Sequence, residues 1–115
     1  MKLYLDDYRP CPFGYHLALN VKEAIDLVMK CDEYGLEWEA ASLDHDLCDE
    51  HYEAHPRYNP DSVILTGLGF VVWMIVTNHW PRIKPVVHSF NPTGKQKMEA
   101  LINEFGPYDE KGVRR

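Results

Sequence analysis

Three short apolar runs in this chain each stop at a cluster of acidic residues or histidine. Leu3-Tyr4-Leu5 stops at Asp6-Asp7, Ala40-Ala41-Ser42-Leu43 at Asp44-His45-Asp46, and Pro85-Val86-Val87 at His88-Ser89. Short runs without polar alternation suit strands buried on both faces, as in parallel sheets. His16-Leu17-Ala18-Leu19 reads as a fourth strand. Between the runs lie stretches with helical spacing. Asn20 is placed to cap a helix over 21–30, whose stripe is Val21, Ala24, Ile25, Val28 and Met29. Residues 66–79 carry Leu68, Val71, Val72, Ile75 and Val76; their β-branched content suits a strand, but their length favours a helix, and Pro81 stops it. Asn91-Pro92 sets a cap followed by proline at the first helical position. Met98, Leu101, Ile102 and Phe105 then give the buried stripe of the last helix, closed by Gly106-Pro107.

The order β, β, α, β, α, β, α predicts an α/β fold with a small parallel sheet covered by helices. The reading is one domain over 1–107 and a tail over 108–115 that frays. For 115 residues, surface scaling gives about 6,500 Å² exposed against about 19,000 Å² for the unfolded chain, enough burial for one core. The apolar fraction of 45% argues against disorder. Twelve basic residues against eighteen acidic ones give a net charge of −6, which disfavours a grip on long nucleic acid duplexes. Asp6, Asp7 and Arg9 interrupt any signal-peptide core, and the apolar stretch over 63–76 is too short to span a bilayer. Three cysteines without CxxC spacing fit a reducing, cytoplasmic compartment. The helix over 66–79 is apolar nearly all round, so its outer face is expected against flanking helices or against a second copy in a homodimer.

In an open α/β sheet the ligand crevice lies beyond the carboxyl ends of the strands. If the strands run parallel, the three polar tips converge there. Clustered carboxylates repel one another unless something positive sits between them. Asp6, Asp7 and Asp44 are hard oxygen donors suited to Mg²⁺, with Mn²⁺ as the other choice. Arg9, just past the acidic pair, can reach a phosphate oxygen. The helix opening at Pro92 offers backbone N–H groups to the same anion, with Lys95 on its first turn. His51 and His55 have zinc-like spacing but no cysteine pair to complete a site.

Leu5-Asp6-Asp7-Tyr8-Arg9-Pro10, Ser42-Leu43-Asp44-His45-Asp46-Leu47, Thr66-Gly67 with Trp73, and His88-Ser89-Phe90-Asn91-Pro92-Thr93-Gly94 resemble, in that order, the cyclic-phosphate processing receiver-like family. The match covers residues 3–102. The resemblance implies a receiver-like (flavodoxin-like) three-layer sandwich of about four parallel strands and three helices. The fifth strand of an ordinary receiver is missing, with its lysine, because too few residues follow Phe105. Cys48 stands where the family pattern has glycine.

The resemblance also implies hydrolysis of a small cyclic phosphate, a 2′,3′-cyclic RNA end or a cyclic nucleotide, with a divalent metal. By motif match, Asp6 and Asp7 bind metal, Asp44 takes the phosphoacceptor position, and His45 and His88 are the acid–base pair beside Arg9. Ser89, Asn91, Thr93, Gly94 and Lys95 are the candidate phosphate-binding residues, with Asp46 and Thr66 also in the site. The alternative is a module that binds a signalling nucleotide without cleaving it, and a third reading is a phosphoacceptor at Asp44.

Overall fold

The computed structural model describes every residue except Val63, so the first position of the apolar stretch over 63–76 lies outside the described residues. The elements are β1 (Lys2–Leu5), β2 (His16–Ala18), α1 (Val21–Glu33), β3 (Ala40–Leu43), α2 (Gly67–Thr77), β4 (Val86–Val87) and α3 (Pro92–Phe105), with a 3₁₀ turn at Asp49–His51. The strands form one sheet in the order β2-β1-β3-β4, and every pair is parallel. Leu3 lies opposite Ala41, Leu5 opposite Leu43, and Leu43 opposite Val87. The chain leaves β1 in one direction to reach β2 and then crosses back to β3. The strand order therefore reverses beside β1, and its crevice opens between the tips of β1 and β3.

Local chemistry explains the helix limits. The Asn20 side chain accepts from the Glu23 N–H at 2.9 Å, and the Glu23 carboxylate accepts from the N–H of Leu19, just before the cap, at 3.0 Å. The helix runs past the expected 30 because Cys31 continues the buried stripe of Val21, Ala24 and Val28, and Gly35 at φ 64 then turns the chain. Residues 67–77 are helical, not strand, and Asn78 ends them in the left-handed conformation at φ 55. α2 lies between α1 and α3. Phe70, Val71 and Met74 are buried, while Val72 and Val76 stay exposed.

The helices form a single layer. Right-handed crossovers carry the β2–β3 and β3–β4 connections over the same face. There Leu3, Leu5, Ala41, Leu43 and Val87 join the helix stripes in one core. The other face carries Leu17, Tyr4, Ser42 and Val86 in register. Among the described residues no helix covers that face, because the β1–β2 connection is a loop punctuated by Pro10, Pro12 and Gly14. Tyr15 from that loop packs edge-on against Tyr4, with ring centroids 6.2 Å apart. The four parallel strands and three helices are those of the expected receiver-like α/β fold, with this loop as the layer on the second face. Leu17 and Val86 remain 44% and 61% exposed, and the total accessible surface of 7183 Å² exceeds the scaling value.

The segment 108–115 does not fray. The buried Tyr108 hydroxyl donates to the Pro81 carbonyl at 2.7 Å. Val113 bridges Ile83, and Arg114 bridges Tyr108, both antiparallel. Arg114 also donates to the Trp80 carbonyl at 2.6 Å and to Glu37 at 2.9 Å. Gly112 at φ 76 makes the turn that brings these contacts together. Among the described residues no helix is long and apolar enough to cross a membrane.

Candidate functional site

The strand ladders continue one residue beyond β1, β3 and β4, as the N–H groups of Asp6, Asp44 and His88 donate to Ala18, Leu5 and Leu43. The side chains of these three residues leave the sheet together. Asp6 is fully buried. Its Oδ1 accepts from the N–H groups of Tyr8 and Arg9 at 2.8 and 3.0 Å, and its Oδ2 meets Arg9 Nη1 and His88 Nε2, each at 2.8 Å. The same Arg9 nitrogen reaches Asp44 Oδ2 at 3.2 Å, while Asp44 Oδ1 accepts from the His45 N–H at 2.8 Å. One guanidinium therefore bridges two buried carboxylates. Phe90, itself 90% exposed, lies on that guanidinium at 4.4 Å.

The two carboxyls respond in opposite directions. Burial alone would raise the pKa of Asp6. The backbone N–H groups of Arg9 and Tyr8, then the Arg9 and His88 side chains, outweigh it and hold the group below its usual value. Asp44 is pushed up, first by burial and then by the charge of Asp6, against partial relief from Ser89, Arg9 and the His45 N–H. For Arg9, burial pulls the pKa down, and the bond to Asp6 with the charge of Asp44 more than restores it.

The two histidines have different surroundings. His88 has both ring nitrogens engaged, Nδ1 with the Ser42 hydroxyl at 2.7 Å and Nε2 with Asp6. Its ring stacks on Tyr4, centroids 4.6 Å apart and planes 1° from parallel. His45 Nδ1 meets Asp46 Oδ1 at 2.7 Å, and Asn91 Nδ2 donates to the same carboxylate at 3.3 Å. Among the described residues His45 Nε2 has no hydrogen-bond partner. Two glycines make room for this arrangement. A Cβ at Gly94 would overlap the His45 ring, and one at Gly67 would overlap the Asp44 backbone oxygen. The N–H of Gly67 donates to the His45 carbonyl at 2.8 Å, which ties the start of α2 to the site.

Other candidates take different places. Asp7 turns away from Asp6 and accepts from the Tyr52 hydroxyl at 3.1 Å, with burial chiefly raising its pKa. The gathered donors are therefore Asp6, Asp44 and His88, whose ligand atoms lie within 4.8 Å of one another, and not Asp6, Asp7 and Asp44. Ser89 hydrogen-bonds to Asp44 and accepts from the Asn91 N–H at 3.1 Å. The Gly94 N–H is taken by the Asn91 side chain at 3.0 Å. Thr66 precedes α2 without a side-chain capping bond. Thr93 is exposed. Lys95 is half-buried on the first turn of α3, and among the described residues its side chain makes no hydrogen bond or ion pair. His51 accepts from the Leu47 N–H at 2.9 Å and uses Nε2 on the Ile64 carbonyl at 2.8 Å, so both nitrogens hold the loop over 47–64. Beside His45 lies a cavity of about 380 Å³, bordered by Thr66, Asn91, Thr93 and Gly94.

The donor set fits a divalent cation in kind. Two carboxylates suit Mg²⁺ or Mn²⁺, and the imidazole shifts the balance toward Mn²⁺. The Arg9 nitrogen already bridges these carboxylates, which shows that the pair accommodates positive charge. The cluster can thus hold an anionic phosphoryl group through Arg9 while His45 offers a proton acceptor. Ser42, Tyr52 and the partnership of Asp46 with His45 were not legible as site features. For Ser42 a signal existed: it sits two residues before Asp44, on the face of the sheet that carries Tyr4.

No curated protein and no solved structure matches the chain. The family described as cyclic-phosphate processing receiver domain matches residues 1–104. That span contains all four strand tips and the whole cluster around Arg9, and the chain belongs to this family of receiver domains associated with cyclic-phosphate processing.

Proposed function

We propose that the protein hydrolyses a small cyclic phosphate at the crevice between β1 and β3. The observation that supports this most is that Asp44 joins an Arg9 held by two carboxylates to His45, whose Nδ1 is oriented by Asp46 and whose Nε2 has no partner among the described residues. Arg9 binds the phosphoryl oxygens and offsets the charge that builds on them during attack. His45 takes a proton from the attacking water, a P–O bond forms to that water, and one ring ester bond breaks. The proton then passes from His45 to the departing alkoxide, which stays tethered in the product. Asp46 keeps His45 Nδ1 engaged, which leaves Nε2 to carry the proton. His88 positions Asp6, since both its nitrogens are in use. A divalent ion held by Asp6, Asp44 and His88 would have to replace the His88–Asp6 contact and the Arg9 bridge, and would then supply Lewis-acid polarisation of the phosphoryl group.

The test is incubation with nucleoside 2′,3′-cyclic phosphates, with and without Mg²⁺ or Mn²⁺ and with a chelator. Ring opening is expected, and His45→Gln is expected to slow it by about 10²–10⁴-fold. Absence of turnover in the wild type, or a His45→Gln variant as fast as wild type, sinks the proposal. A second reading, binding without cleavage, draws support from the acidic pair being satisfied internally by Arg9 and His88. Tight binding with full recovery of intact ligand selects it.

A further inference from the structure

We infer that Ser42 is a positioning residue whose hydroxyl lets His88 exchange its bond to Asp6 for a bond to a divalent cation, by accepting the ring proton at Nδ1 while Nε2 becomes the ligand atom. This rests on the reading of Asp6, Asp44 and His88 as a cation site and not on the hydrolysis itself. In a neutral imidazole one nitrogen carries a proton and the other a lone pair. Asp6 is held ionised by the N–H groups on its Oδ1 and by Arg9, so toward His88 Nε2 it only accepts. Nε2 is then the N–H, and Nδ1 takes a bond from the Ser42 hydroxyl at 2.7 Å. A nitrogen that carries a proton has no lone pair for a cation. Binding at Nε2 therefore requires the proton on Nδ1, where it needs an acceptor.

Ser42 meets both demands. A hydroxyl donates one hydrogen and offers lone pairs, so turning its O–H converts a donor into an acceptor at the same 2.7 Å. A carbonyl in its place would hold only the ligand form of the ring, and an N–H only the form bonded to Asp6. The exchange releases one proton from Nε2 to solvent and takes one from solvent at Nδ1. The ring's proton count is unchanged, and the cation receives the freed lone pair of Nε2. The ring itself need not turn. It lies on Tyr4 with planes 1° from parallel, and Tyr4 and Ser42 are register partners on β1 and β3. The His88 N–H donates to the carbonyl of Leu43, the residue after Ser42. Backbone, ring face and Nδ1 are thus all held, and Nε2 is left as the edge toward Asp6. Ser42 is the one polar side chain of β3, and among the described residues its hydroxyl has no hydrogen-bond partner besides His88.

The experiment locates the His88 ring proton by long-range ¹H–¹⁵N NMR, without and with Zn²⁺, a diamagnetic cation that takes the same donors. Mn²⁺ affinity is measured by electron paramagnetic resonance for wild type, Ser42→Ala and Ser42→Thr. In the wild type the proton is expected on Nε2 without cation and on Nδ1 with Zn²⁺. Ser42→Ala is expected to weaken Mn²⁺ binding by about 10–100-fold, as for the lost partner of a ligating histidine. Ser42→Thr keeps the hydroxyl and suits a strand, and is expected to stay within about threefold of wild type. If Ser42→Ala does not fold, the wild-type ring spectra decide. A His88 proton that stays on Nε2 with Zn²⁺ bound overturns the inference. So do a Ser42→Ala variant that binds Mn²⁺ like wild type, equal losses in both variants, and a wild type that binds neither cation. Each of these leaves the proposed function standing, because its proton carrier is His45 and its anion-binding group is Arg9. Absence of cyclic-phosphate turnover overturns the proposed function and leaves this inference standing where the cation binds and the His88 proton moves.

Discussion

Asp6 collects four donors on two oxygens, whereas Asp44 gains fewer and is more exposed to its neighbour's charge. The sign for Asp6 follows from its lowered pKa. Its stabilising contribution is present above the ordinary carboxylate value and is lost as pH falls through the lowered folded value. Asp6→Asn is expected to lose about 1.5–3 kcal/mol at neutral pH, the worth of hydrogen bonds to a charged group. The gap to wild type should close on acidification below the folded value, as read by urea denaturation at both pH values; a gap independent of pH contradicts this account. Gly94→Ala tests the site from the other side. The new methyl must displace the His45 ring, so cyclic-phosphate turnover is expected to fall about 10²-fold, and a Gly94→Ala enzyme of wild-type rate excludes His45 as the proton carrier. At this scale much was legible. Asp6, Arg9, Asp44 and His88 stand at strand ends, and parallel pairing brings them together. Asp7, expected beside Asp6 as a metal ligand, instead meets the Tyr52 hydroxyl, and the third grouped donor is His88. The unequal surroundings of His45 and His88 were not legible, because Asp46, Ser42 and Tyr4 act on them through side-chain direction.

Elements built on periodicity came through well, and those built on few residues less so. β3 and α3 match their expected limits, since Leu43-Asp44 and Asn91-Pro92 are sharp boundaries. β4 shrinks to two residues because only Ser42 and Leu43 of β3 pair with it. α2 follows its length rather than its β-branched composition, since a helix in the middle of its layer meets apolar neighbours on both flanks. The start of α3 joins folding to chemistry. Asn91 caps the helix with its oxygen and holds Asp46 with its nitrogen. Asn91→Ala is therefore expected to lower stability by about 1 kcal/mol, as for a lost N-cap, and also to reduce kcat. A variant that loses stability while keeping kcat separates the cap from the His45–Asp46 pair.

For the molecule as a whole, the least legible feature was the C-terminal segment. Its partners, Trp80, Pro81 and Ile83, lie about thirty residues upstream, and no local pattern announces that pairing. The aromatic at 108 was the available hint, since Tyr108 stands edge-on to Trp80 with centroids 5.9 Å apart. Tyr108→Phe is expected to cost about 1 kcal/mol through the lost bond to Pro81, and Tyr108→Ala about 3 kcal/mol through the added cavity. Equal effects in urea denaturation would mean that packing contributes nothing there. The loop-covered second face of the sheet was equally hidden, because the β1–β2 segment carries no pattern that announces its packing on Tyr4.

The bond between Asp6 and His88 spans 82 positions of chain. A nascent or partly folded molecule holding only β1 to β3 would have Asp6, Arg9 and Asp44 in place and lack the imidazole that completes them. Closing so long a loop carries an entropic cost that only the docking of β4 offsets. Completion of the cluster therefore requires the whole sheet, and a chain without β4 docked lacks the imidazole contact on Asp6.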